Sequence, residues 1–463
     1  MDNKRSIVSN LGFFLQIMGL LLVLPIAIGF EAGEIPIVSS LLATSFLSFG
    51  VGFVFNSFCE RKELDERTSL WLMLATFTVL PLVLMIPFVW NNVFNSGNPV
   101  DLLTNAYFET VSGFTTTGFT FVTNPESLPM SLLFYRSLVE FIGGIGFVYI
   151  LVAFLYPDEG LDVFSETFGV EKLSYNLRKV FASIILVYTF LAALFTVIFY
   201  FVYSPNIVIS SCVAIDVLTG GFQPNIAAGI GLFQVSILVL MLLGSLNFSF
   251  HYNLFSLKLH SLSTPEIKFY LKVIVVTTVA ISILALMNPF DSLFHVLSMA
   301  SSTGIDYINL AATFYPAKIL FILIGLAGGC AFSMAGGIKM QRIQLLIHSV
   351  SKGDPRPTRQ ELKSILVTVT GFATMLIVLS LAFSTIGITL IDSIFEVGSA
   401  LTTNGISMGA TTVTLPLGHK WLLIFAMIIG RVEIASIFKA IKGGELLRTF
   451  RSLILKRLNK YKR

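Results

Sequence analysis

Residues 108–118 read Phe-Glu-Thr-Val-Ser-Gly-Phe-Thr-Thr-Thr-Gly, and residues 395–405 read Phe-Glu-Val-Gly-Ser-Ala-Leu-Thr-Thr-Asn-Gly. Phe, Glu, Ser, two hydroxyl residues and the closing Gly coincide without a gap. Between them lies Phe-His-Val-Leu-Ser-Met-Ala-Ser-Ser-Thr-Gly, residues 294–304, in the same register. A fourth copy, residues 211–221, is worn and keeps only its end, Leu-Thr-Gly-Gly-Phe. Aligned on their glycines, the four endings are Thr116-Thr117-Gly118, Thr219-Gly220-Gly221, Ser302-Thr303-Gly304 and Thr403-Asn404-Gly405. One such match is weak, because Thr-Thr-Gly is common by chance. Four of them, each between two apolar runs, mark an internal repeat.

The flanking runs say what surrounds these motifs. The chain is 55% hydrophobic and 12% charged, against about 25% charged in soluble domains, and its mean hydropathy is +0.85. A soluble core cannot absorb that much apolar surface, so the solvent is lipid. With about 20 apolar residues per crossing, the runs predict ten spans: 8–30, 35–57, 68–90, 128–156, 180–203, 229–257, 267–287, 311–348, 362–387 and 416–442. The first run, Leu11 to Phe30, has no small-residue cleavage site and reads as a retained span. The four motif stretches are too short to cross and too apolar for plain loops. They read as half-helices that dip into the membrane and return as irregular backbone, which is tolerated there only inside protein or beside a water-filled cavity.

The expected fold is therefore an all-α polytopic membrane protein of four pseudo-symmetric helix–pore loop–helix repeats, preceded by two extra transmembrane helices. The divisions are 1–62 for the two helices, then 63–165, 166–262, 263–353 and 354–446 for the repeats, with a basic tail at 447–463. Two spans separate successive loops, so the units are parallel and surround an axis along the membrane normal.

Charge sets the orientation. Lys and Arg gather at Lys4–Arg5, Arg61–Arg67, Lys172–Lys179, Lys258–Lys272, Lys339–Lys363 and Lys439–Arg463, while the alternate connections hold almost none. The positive-inside rule then places both termini in the cytoplasm. The basic tail reads as an anchor at the lipid surface rather than a nucleic-acid patch. Cys59, Cys212 and Cys330 show no disulfide or metal spacing, and no nucleotide-binding motif is present.

The loop chemistry points to a monovalent cation. A dehydrated ion needs several oxygens, which rings of backbone carbonyls supply. Glycine permits the backbone conformations that turn carbonyls inward, and the neighbouring hydroxyls add oxygens without charge. Each half-helix ends at its loop, so the negative end of its dipole faces the ion. Glu109 and Glu396 occupy matching positions, with His295 in the third copy; they read as anchors of their half-helices or as attractors of cations at the outer mouth.

At this point the chain resembles the Trk/Ktr family of potassium transporters over nearly its whole length. The resemblance rests on the loops and on the runs that follow them: residues 141–146 (Phe-Ile-Gly-Gly-Ile-Gly), 243–248 with His251-Tyr252, 328–339 (Gly-Gly-Cys-Ala-Phe-Ser-Met-Ala-Gly-Gly-Ile-Lys), and Gly430-Arg431-Val432-Glu433. It implies potassium as the substrate, no cofactor in this chain, and a filter of Thr116, Thr117, Gly118, Thr219, Gly220, Gly221, Ser302, Thr303, Gly304, Thr403, Asn404 and Gly405. In the family, glycine closing all four loops accompanies potassium preference, and serine in the first accompanies sodium permeation. Asn404 and Ile305-Asp306 depart from the family pattern and bear on how strongly potassium is preferred.

Five glycines between Gly325 and Gly337 argue for a broken helix, or else for close packing through small residues. The resemblance implies an intramembrane gate loop there, including Gly328, Gly329, Ser333, Gly336 and Gly337, with Arg431 bordering the pore beneath the filter. A pairing of Arg431 with Glu433 or Glu140 is the other reading. The resemblance further implies a homodimer on a cytoplasmic ring of nucleotide-binding regulatory subunits, in the cytoplasmic membrane. A coupled sodium or proton symporter is the competing transport class. A membrane enzyme is disfavoured because no nucleophile or intramembrane acid–base constellation is found.

Overall fold

The computed structural model describes residues 2–58, 66–150, 177–222, 230–255, 257–258, 262–351 and 356–432. Among these the secondary structure is helical throughout, with no strand. Seven helices are long and apolar enough to cross a membrane: 4–31, 35–57, 68–90, 130–148, 182–202, 265–284 and 361–386. The chain is a multi-pass all-α membrane protein.

Two of the ten expected spans differ from straight crossings, and a third is described only in part. The stretch 229–257 is two helices, Leu232–Ser245 and Phe248–Phe255, bent by 108°. Leu246 is extended, and the Asn247 side chain accepts from Phe250 N at 2.9 Å to start the second helix. The backbone groups freed by the bend are used by another segment: Cys330 N donates to Ser245 O (2.9 Å) and Phe248 N donates to Phe332 O (3.3 Å). The stretch 311–348 is also broken, into Tyr315–Ala327 and Met340–Ser351. The break falls at Gly328, where φ is +71°. The last span is seen as Leu417–Val432; residues 433–442 with Glu433, the tail 447–463, Cys59 and Lys172 lie outside the described residues.

Four short helices stand between the long ones, and local chemistry starts each of them. Pro99–Phe114 is capped by Asn98, Ile207–Thr219 by Asn206, Pro289–Ser301 by Asn288 and Leu390–Leu401 by Thr389. In every case the cap side chain accepts from a backbone N–H of the first turn, which the helix itself cannot satisfy. Pro99 and Pro289 follow their caps in the first helical position, where a missing N–H costs nothing.

The N-terminal pair, Lys4–Glu31 and Ile35–Phe58, flanks this set rather than joining it. Its connection supplies Glu34, whose carboxylate accepts from Met130 N (2.7 Å) and Ser131 N (2.9 Å) at the start of the helix Met130–Ile150. An acidic group on free N–H groups at a helix start is favourable, so this contact fastens the pair to the helix Met130–Ile150.

Candidate functional site

The four short helices deliver their C-terminal loops to one place, where the loops touch in cyclic order. A Cβ at Gly118 would fall on the backbone of Gly221, and one at Gly220 on the Ser302 carbonyl oxygen. One at Gly304 would fall on the Asn404 carbonyl oxygen, and one at Gly405 on that of Thr117. First meets second, second meets third, third meets fourth, and fourth returns to first. Gly221 N also donates to Thr303 O at 3.1 Å. All twelve residues expected from the loop motifs lie in this ring or on its rim, and Thr116, Thr117, Ser302, Thr303, Thr403 and Asn404 are all buried.

The loop backbones share an alternation. Thr116, Ser302 and Thr403 have φ of +56°, +55° and +51°, and the glycine two residues on has +83°, +71° and +84°. In the second loop the left-handed residue is Gly220, at +86°, while Gly221 is not left-handed. Its backbone thus runs out of step with the glycine alignment.

The side chains beside the glycines turn back into the protein. Thr117 Oγ1 lies 2.7 Å from Thr115 Oγ1, and Thr303 Oγ1 lies 2.6 Å from Ser301 Oγ. Asn404 does likewise toward the preceding motif helix, its amide donating to Met299 O at 2.7 Å. Its side chain is used as a tie between the third and fourth loops.

Each of three loops is also latched to its own half-helix in the same register. Glu109 accepts from Phe121 N (3.0 Å), Glu396 from Met408 N (2.8 Å), and His295 Nε2 from Tyr307 N (3.4 Å). In all three the donor is twelve residues on. His295 can accept there because its Nδ1 hydrogen goes to Asp291 O, 2.7 Å away. Glu109 is further held by Arg136, 2.7 Å away with both side chains buried; removing one partner of such a pair costs about 3–5 kcal/mol. Arg136 also donates to Thr120 Oγ1 at 3.1 Å and lies over the Phe222 ring, 3.8 Å from its centroid. Two lysines tie the motif helices to other helices: Lys318 to Asp392 (2.9 Å) and Lys420 to Asn105 (2.7 Å). Arg136, Lys318, Lys420 and the four caps were not singled out from the sequence. Three of the caps had a readable signal, since Asn206, Asn288 and Thr389 stand 15, 16 and 16 residues before the closing glycines Gly221, Gly304 and Gly405, whereas Asn98 stands 20 before Gly118.

On one side of the ring is a cavity of about 1110 Å³, lined among others by Thr120, Glu126, Asp216, Asp306, Asn309 and Ser407. On the other side lies the irregular segment 328–339. Gly336 N donates to Ser302 Oγ at 3.0 Å, and a Cβ on Gly336 would meet the Thr402 carbonyl oxygen. Ile338 N donates to Leu326 O (2.9 Å) and Lys339 N to Ala327 O (3.0 Å), closing the base of the segment. Ser333 Oγ donates to Cys330 O (2.7 Å), and Lys339 Nζ donates to Ala335 O. Arg431 Nη1 donates to Met334 O at 3.0 Å, and its guanidinium lies 4.0 Å from the Phe147 ring centroid. Gly328, Gly329, Ser333, Gly336 and Gly337 thus share one segment held by Arg431, and the segment meets the ring at Gly336. Glu140 is occupied elsewhere, on the second loop.

The sequence profile of the TrkH family, described as a cation transport protein, matches residues 89–216 and 273–442. The Trk system potassium uptake protein TrkH of Salmonella typhimurium is 26% identical over 417 residues, covering 81% of this chain and 85% of that protein. An uncharacterized cation transporter of Methanocaldococcus jannaschii is 27% identical over 463 residues, covering 93% and 94%. The crystal structure of the potassium transporter TrkH from Vibrio parahaemolyticus has a TM-score of 0.80 to this fold at 20% identity, covering 94% of this chain and 97% of that one.

Proposed function

This chain belongs to the TrkH family of cation transport proteins, and from that premise we propose that it takes up potassium across the cytoplasmic membrane through the ring of four loops. The family is one of transporters, so no catalysis is assigned. The observation that carries the proposal is the cyclic contact of the four loops, three of which share one backbone alternation; in this reading their carbonyl oxygens face the ion. Relatives of similar length are named potassium uptake proteins, which favours potassium among the monovalent cations.

In this reading an ion enters from the cavity, sheds its water and is held by the carbonyls of Thr116, Thr117, Gly118, Thr219, Gly220, Gly221, Ser302, Thr303, Gly304, Thr403, Asn404 and Gly405. The C-terminal ends of the four half-helices add negative potential at that point. Segment 328–339 is the gate, with Arg431 as its catch. A positive charge beneath the filter opposes cation passage until the segment moves. Both termini are cytoplasmic. The protein works as a homodimer on a ring of nucleotide-binding regulatory subunits, which meet the basic segments 339–363 and 439–463. One chain completes the ring, so each protomer has its own pore.

The test is cation flux into liposomes carrying the purified protein. Potassium and rubidium flux should exceed sodium flux by at least about tenfold, the ratio that about 1.4 kcal/mol of discrimination gives. Gly118→Ser, whose Cβ would displace the Gly221 backbone, should bring the ratio toward unity. Sodium flux equal to potassium flux in the unaltered protein would remove the proposal.

A further inference from the structure

The second loop is the odd member of the ring. At the position of Glu109, His295 and Glu396, its motif carries Cys212, and a thiol is a weak acceptor for a backbone latch. A carboxylate nevertheless reaches this loop, from the helix Met130–Ile150 of the preceding repeat. Glu140 is fully buried. Its Oε1 accepts from Thr219 Oγ1 at 2.6 Å, and its Oε2 accepts from Phe222 N at 3.3 Å. Those two donors stand on either side of the Gly220-Gly221 turn. A Cβ on Gly221 would lie on the Glu140 carboxylate itself, so the glycine there leaves room for the acid.

We propose that Glu140 is a positioning residue for the filter: a hydrogen-bonding bracket, lent by the first repeat, that sets the conformation of the second loop. It does for Thr219–Phe222 what Glu109, His295 and Glu396 do within their own repeats. The inference rests on the reading of the four loops as the selectivity filter. Glu140 acts through its two acceptor oxygens, both turned onto the loop, and its charge is not required. Glutamine can rebuild the bracket: its carbonyl oxygen accepts from Phe222 N, while its amide donates to Thr219 Oγ1, whose own hydrogen goes to Ile215 O 2.8 Å away. Leucine can rebuild neither arm.

The experiment compares the full-length protein with E140Q and E140L, reading potassium and sodium flux in liposomes and amide hydrogen exchange over residues 217–222. In E140L the potassium-to-sodium ratio should fall about tenfold and the Phe222 amide should exchange about tenfold faster, the scale of one buried donor left without its acceptor. E140Q should stay close to the unaltered protein in both. Unchanged ratio and exchange in E140L overturns the inference, and so does an E140Q as impaired as E140L, which would assign the role to charge. If the unaltered protein itself fails to discriminate potassium from sodium, the filter reading falls, and the exchange comparison still decides whether Glu140 holds the loop. Should E140L not yield folded protein, Thr219→Val removes one arm alone; faster Phe222 exchange then supports the bracket, and unchanged exchange refutes it.

Discussion

Gly405→Ala is expected to cut potassium flux more than a hundredfold, a loss equivalent to about 2.7 kcal/mol. Two costs combine at this position. The φ of +84° is one that an alanine adopts only at a strain on the order of 1–3 kcal/mol. The new methyl would also fall on the Thr117 carbonyl oxygen, so relief requires moving an oxygen of the ring. Because each loop abuts the next, the shift cannot stay local. Gly387→Ala is the control: φ there is +88° but nothing lies within 4 Å of the added Cβ. It imposes comparable backbone strain outside the ring and should leave flux near the unaltered level. Rubidium uptake normalised to protein recovered reads both variants. Equal losses in the two would mean that general destabilisation, and not the ring, limits transport.

Arg431→Met should act in the opposite direction and raise flux about tenfold to a hundredfold. The arginine is 1% exposed, and its hydrogen bond to Met334 O ties the last long helix to the segment beneath the ring. A hydrogen bond from a charged donor contributes roughly 1.5–3 kcal/mol. If that bond is made only while the segment blocks the path, its loss moves the closed–open balance by the stated factor. Methionine keeps much of the packing against Phe147, so the change isolates the charge and its hydrogen bond. A fall in flux, in a variant that melts like the unaltered protein, would show that Arg431 supports the conducting form instead.

Much of this organisation is legible in the sequence because its physical cause is local or repeated. The apolar runs report lipid as solvent wherever they are unbroken, as at 35–57, 68–90 and 361–386. The motifs ending at Gly118, Gly304 and Gly405 share a register because three loops have the same backbone alternation to satisfy. The cluster Gly325–Gly337 announces a broken helix for the same reason: the chain leaves the helix at Gly328, at φ +71°. What escapes is what one element does for another. The 108° bend at 245–248 is stabilised by residues 330–332, more than eighty positions away, so an apolar run gives no warning of it. Arg136, Lys318 and Lys420 sit in apolar helices, and their partners belong to other segments. The second loop is harder still. Its worn motif aligns on Gly221, yet its left-handed residue is Gly220, and its bracketing acid lies in the previous repeat. The role of Asn404 turns on the direction of its side chain, which its place in the motif leaves open; its amide is bonded to Met299 O.

The most direct test of the central claim is to locate the ion. Crystals grown in rubidium chloride and measured at the rubidium absorption edge would show bound cations as anomalous difference peaks. The account predicts one or more peaks on the axis of the ring, within coordination distance of carbonyl oxygens from all four loops. A ring without a peak, with rubidium found instead at another point along the helices, would contradict it.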